Sequence, residues 1–117
     1  MYSMKLILEP DVIDLLNKDR FEGDLEGYIL SDGADLFGWS LFKIEDGITH
    51  MLDVEAPGTQ FLDGLIRASV AYGENQGAKN FTLNQDIPDF KKYHDVFFKH
   101  EGDVIPTEKL FVPCEDE

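Results

Sequence analysis

The side chains able to do chemistry are few, and none sits in a ready-made motif. There is no GxxxxGK[ST] phosphate loop, no GxGxxG turn, no HExxH or GxSxG, and no acidic stretch with the spacing of a calcium loop. His50, His94 and His100 show no metal-ligand spacing and read as surface or partly buried histidines. Cys114 is the lone cysteine, which excludes an intramolecular disulfide and any multi-cysteine metal site, and it reads as an idle thiol in a polar tail. What remains is a strand-to-helix turn, Ala56-Pro57-Gly58-Thr59-Gln60. A helix that starts there presents unpaired N–H groups and the positive end of its dipole, which is chemistry suited to an anion. No lysine or arginine lies between Ile48 and Arg67 to assist. Without a ligand, the same stretch is simply a capped turn.

The elements that must position this turn follow from periodicity. Residues 4–8 read as a strand ended by Pro10, and 11–19 as a short helix with Asp11 at its N-cap. Residues 21–27, acidic and holding glycine, read as loop. Three antiparallel strands are expected at 28–30, 36–44 and 48–54, with Asp46–Gly47 as a tight hairpin turn between the last two. In the second, Phe37, Trp39 and Leu41 fall on one side and Phe42 and Ile44 on the other, as expected of a sheet covered on both faces. In the third, Ile48, His50, Leu52 and Val54 alternate with Thr49, Met51 and Asp53. The clearest helix runs over 59–76: Phe61, Leu62, Leu65, Ile66, Ser69, Val70 and Gly73 trace an apolar stripe, while Asp63, Arg67 and Glu74 face away. Thr59 is its expected N-cap and Gly77 its C-terminal glycine. A strand over Asn80–Leu83, a helix over 88–99 and one or two short strands within 103–112 complete the order β-α-β-β-β-α-β-α-β. The fold class is α/β (α+β): an antiparallel meander, a helical crossover to a parallel strand, and helices on both faces of a mixed sheet.

Length and charge bound the function. The chain has 117 residues, of which 43% are hydrophobic, enough for one domain with a real core. Ten basic residues against 24 acidic ones give a net charge of −14, which argues against nucleic acid or an anionic membrane as partner. No run approaches the ~18–20 apolar residues of a membrane span, and the first residues do not look like a signal peptide. A cytoplasmic protein is expected.

Residues 48–98 resemble the GNAT superfamily of N-acetyltransferases. LIRASVAYGENQGAKNFTL (65–83) is similar to that family's central helix, glycine break and following strand. The strand 48–54, entering the helix through APGTQ, has the place of its acyl-CoA loop. KKYHDVFF (91–98) is similar to its late helix, commonly Tyr-x-x-Leu-Gly-Phe, with Tyr93 on the tyrosine and Phe98 on the phenylalanine. The resemblance implies a GNAT-like sheet in one domain over 1–117, shortened toward its N-terminal side. It implies an acyl-CoA-dependent N-acyltransferase that uses acetyl-CoA or another acyl-CoA, needs no metal and acylates a small-molecule or peptide amine. Val54, Gly58, Thr59, Gln60, Phe61 and Leu62 would hold the cofactor. Asp53 or Glu55 would serve as general base, directly or through water, and Tyr93 would protonate the departing thiolate. The loop departs from the family's Gln/Arg-x-x-Gly-x-Gly/Ala: Pro57 stands at the arginine, Gln60 and Leu62 at the two glycines, and only Gly58 keeps glycine character. Phe97 replaces the glycine of the late helix. These departures give the alternative, a non-catalytic binding or interaction module that retains the fold.

Overall fold

The structure, a computed structural model, describes residues 2–111; Cys114 and the acidic Glu115 to Glu117 lie outside the described residues. Its frame is one six-stranded sheet in the order β1 to β6: β1 (Tyr2–Leu6), β2 (Leu25–Asp32), β3 (Asp35–Glu45), β4 (Ile48–Glu55), β5 (Asn80–Leu83) and β6 (Ile105–Pro106). β4 and β5 run parallel, and every other neighbouring pair is antiparallel. β3 turns into β4 through Asp46 (φ 56°) and Gly47 (φ 75°); two left-handed residues in succession match the twist of a two-residue hairpin.

A parallel neighbour cannot be reached by a tight turn, so the chain crosses over through α2 (Thr59–Asn75). Leu62, Leu65, Ile66, Ser69, Val70 and Gly73 bury one stripe of it against the sheet, as their spacing predicts. Gly73 is needed there: a Cβ on it would meet Thr49 Oγ1 on β4 at 1.8 Å, so a side chain would push helix and sheet apart. Gly77 (φ 101°) ends the helix, and Ala78 N–H returns to the Gly73 carbonyl at 2.9 Å.

Helices cover both faces. α2 and α3 (Pro88–Phe97) close the larger core, which includes Phe42, Met51, Val54, Phe81, Phe90 and Tyr93. α1 (Pro10–Asn17) closes a smaller one around Ile7, Ile13 and Leu41, with Trp39 and Leu52 against it. Leu41 and Phe42 thus face opposite ways, as the alternation of β3 predicts.

Several boundaries differ from expectation. Pro10 opens α1 instead of ending a strand; its missing N–H costs nothing in a first turn. Glu9 holds the N-cap position expected for Asp11, which lies inside the first turn, and the helix stops at left-handed Lys18 and Asp19. β1 is Tyr2–Leu6, two residues earlier than expected, and β2 begins within the expected loop, at Leu25. Gly58 stands at the N-cap of α2 with no side-chain bond, and Thr59 is the first helical residue. α3 stops at Phe97. The C-terminal stretch yields the two-residue β6 and then a 3-10 turn, Thr107–Lys109. Among the described residues no helix is long and apolar enough to cross a membrane.

Candidate functional site

β4 outruns its parallel partner. The two pair from Ile48 opposite Asn80 to Met51 opposite Leu83, after which β5 ends and β4 continues to Glu55. Asn84 closes the parting: its N–H donates to the Met51 carbonyl (3.0 Å) and its Nδ2 to the Leu52 carbonyl (2.9 Å). Beyond the end of β4 lies a cavity of about 260 Å3, between the first turn of α2 and one side of α3. The turn contributes Ala56, Pro57 and Gly58, and α2 adds Thr59 and Leu62. The rest of the wall is α3: Asp89, Lys92, Tyr93, Val96 and Phe97, at the i, i+3, i+4, i+7, i+8 spacing of one helix face.

The first turn of α2 leaves two donors for a ligand. Phe61 and Leu62 N–H both bond to the Gly58 carbonyl (3.1 and 2.9 Å), so Thr59 and Gln60 N–H are the groups without an intrahelical partner. Lys92 is the one cation in the wall and Asp89 the one carboxylate. The exposed apolar side chains of Val96 and Phe97 give the mouth a greasy rim.

Tyr93 is buried among aromatic rings, 4.8 Å from the Phe97 centroid and 6.1 Å from that of Phe98. Its hydroxyl donates a short hydrogen bond to Asp63 Oδ1 across the α2–α3 interface. The other oxygen of Asp63 takes Arg67 Nε at 2.9 Å, and Arg67 NH1 reaches the Leu110 carbonyl at 2.8 Å. Burial first, and then the hydrogen bond and charge of Asp63, push the phenol well above the usual tyrosine range, while Arg67 pulls weakly the other way. Tyr93 is a neutral donor at any physiological pH.

Of the residues expected at the site, Gly58, Thr59, Leu62 and Tyr93 come together around the cavity. Val54 is buried in the core, Gln60 is exposed, and Phe61 packs on Tyr2 with ring centroids 4.7 Å apart; none of the three lines it. Glu55 is exposed outside the wall. Asp53 is on the other side of the sheet: β4 carries an extra residue opposite Leu41 and Phe42, so that Leu52 and Asp53 both turn toward α1. There Asp53 Oδ2 meets Arg20 NH2 at 2.6 Å, while Oδ1 accepts the Val54 N–H at 2.7 Å. Sequence reasoning missed Asp63, expected to face away, together with Lys92 and Asp89. The helical spacing of α3 was the available signal for the latter two; nothing local announces the Asp63–Tyr93 bond.

No family model matches the chain, and no curated protein matches it. Solved structures do resemble it. One is a candidate acyl-CoA N-acyltransferase of Klebsiella pneumoniae, 19% identical, matched over 71% of this chain and 70% of that one with a TM-score of 0.56. Another is the ribosomal-protein-S18-alanine N-acetyltransferase of Escherichia coli, at 12% identity, 82% and 76% coverage and a TM-score of 0.57. A third is a Bacillus subtilis acetyltransferase in complex with CoA, at 15% identity, 87% and 86% coverage and a TM-score of 0.56. At such identities the likeness is one of fold, and the fold is GNAT-like: a mostly antiparallel sheet with one parallel pair.

Proposed function

We propose that the protein is an acyl-CoA-dependent N-acyltransferase whose donor places its thioester end in the cavity between α2 and α3. The observation that carries this reading is the cavity itself, which lies beyond the end of β4 against the first turn of α2, whose Thr59 N–H has no intrahelical partner. A CoA-bound acetyltransferase among the structural neighbours supports the choice of donor. Size narrows it: about 260 Å3 is at the small end for a ligand site, so it suits the acyl group and the thiol end of the arm, with the nucleotide outside. The apolar Ala56, Pro57, Leu62, Val96 and Phe97 match that neutral part, and Lys92 is placed for a phosphate. The acceptor would be a small-molecule or peptide amine that meets the thioester beside Tyr93.

The experiment is acetyl-CoA binding by calorimetry and thermal shift. At tenfold its Kd the ligand stabilises the fold by about 1.4 kcal/mol, a rise of roughly 5 °C in Tm for a chain of this size. A flat calorimetric trace with no shift at millimolar acetyl-CoA removes the reading. The alternative, a non-catalytic module, then stands; it is favoured by Leu62, whose side chain lines the place where the family pattern has glycine.

A further inference from the structure

On the acyl-transfer reading above, we infer that Asp63 is a positioning residue for Tyr93 that takes and returns its proton, so that the pair carries a proton from the acceptor amine to the leaving sulfur. Tyr93 lines the cavity, and its hydroxyl hydrogen is committed to Asp63 Oδ1. A phenol whose hydrogen is engaged offers a new neighbour its lone pairs, so toward an amine it acts first as an acceptor. Neither of the strand carboxylates can do this from where it stands. Asp53 spends one oxygen on Arg20 and the other on the Val54 N–H across the sheet, and Glu55 lies outside the wall. Asp89 lines the wall, but Asp63 is the carboxylate bonded to the Tyr93 hydroxyl, and Arg67 holds it in place. The charged groups around the pair are Arg67 on α2, bonded to Asp63, and Asp89 and Lys92 on α3, which line the same cavity as Tyr93.

The step balances. The amine nitrogen attacks the thioester carbonyl carbon and a C–N bond forms. Its N–H proton passes to the Tyr93 oxygen as the tyrosine's own proton moves to the Asp63 carboxylate. When the C–S bond breaks, the sulfur takes a proton from Tyr93, which is refilled from Asp63. One N–H is lost, one S–H is gained, and the pair returns to its starting state.

The test uses the full chain with acetyl-CoA as donor and hydroxylamine as probe amine, small enough to need no acceptor site, and it reads release of free thiol. Asp63→Asn should lose roughly 100-fold in rate, the scale of one acid–base contribution, with acetyl-CoA affinity unchanged. Tyr93→Phe should lose as much, and the double variant no more than either alone. In Asp63→Asn a single tyrosine should ionise at lower pH than in the parent, followed by phenolate absorbance, which confirms that the Asp63–Tyr93 bond is present in solution, while the rate loss at unchanged acetyl-CoA affinity separates a proton-carrying role from a structural tie. The inference is overturned if the parent binds acetyl-CoA without accelerating thiol release, if Asp63→Asn keeps the parent rate, or if the two losses multiply. Failure of the parent to bind acetyl-CoA overturns the acyl-transfer reading itself, and the inference with it.

Discussion

Each face of the sheet carries one arginine–aspartate pair, and the pairs differ in where the second carboxylate oxygen goes. On the α1 face, Asp53 is gripped by Arg20, and its other oxygen caps the Val54 N–H within its own strand. Its side chain is 12% exposed, so the pair is a tie between the end of α1 and β4. On the α2 face, Asp63 is gripped by Arg67, but its other oxygen takes the Tyr93 hydroxyl at a cavity wall, and its side chain is 35% exposed. The same two residue types therefore do different work. What separates them is whether the spare acceptor is spent on backbone or left to a group that a ligand can touch.

Five outcomes would break or sharpen this contrast. The largest effect is expected from Leu62→Gly with Gln60→Gly, which strips the Leu62 side chain from the cavity wall and the exposed Gln60 side chain beside it: unfolding in urea should show a loss of about 3–5 kcal/mol, from lost burial plus glycine in a helix. Acetyl-CoA binding should tighten in the same protein, and if it stays absent the missing glycines were not the obstacle. Asp53→Ala should cost about 2–3 kcal/mol, less than a fully buried pair because Arg20 is 39% exposed and keeps its bonds to the Leu16 and Asn17 carbonyls. Its acetyl-CoA affinity should equal the parent's; a changed affinity would end the distinction between the two faces.

Asp63→Asn should cost under about 1 kcal/mol near neutral pH, since its ion pair is exposed. Its mark should appear in alkali. Tyr93 has a raised folded-state pKa, so its contribution is complete below the ordinary value of 10.0 and declines as pH rises above it, because only the unfolded chain releases the proton. The variant should lose less stability than the parent between about pH 9 and 11, measured as urea midpoints. Glu26→Gln should have a smaller effect of the same sign, at acid rather than alkaline pH. Burial and then Asp24 raise Glu26 above its ordinary 4.5, so stability falls as pH climbs through the carboxylate range, and the variant should flatten that slope. The smallest effect is general: with a net charge of −14, inert salt up to about 0.1 M should raise the unfolding midpoint by screening self-repulsion.

Much of the fold was legible because its signals are local. The period of α2, the Asp46–Gly47 hairpin and the glycine at position 77 each depend on neighbours within a turn. The cap of α2 was misassigned to Thr59 because a threonine there looks better equipped than Gly58, yet the backbone turns at the glycine and the helix starts without side-chain help. The cavity's α2 side was legible through Gly58 and Leu62, its α3 side only at Tyr93. Asp63 was not, because its partner lies 30 residues further on and meets it only once two helices have packed on one sheet.

The extra residue in β4 makes the sorting of carboxylates a matter of parity. Along a regular strand, odd and even positions keep to opposite faces, and Asp53 shares its parity with Thr49 and Met51 on the α2 side. One insertion at Leu52 reverses the count from there on, delivering Asp53 to Arg20 and Val54 to the main core. A strand that kept every residue but ran without the bulge would exchange the two, turning Asp53 toward the main core and Val54 toward Arg20. The bulge, more than the identity of the acid, decides on which face of the sheet the carboxylate at position 53 lies.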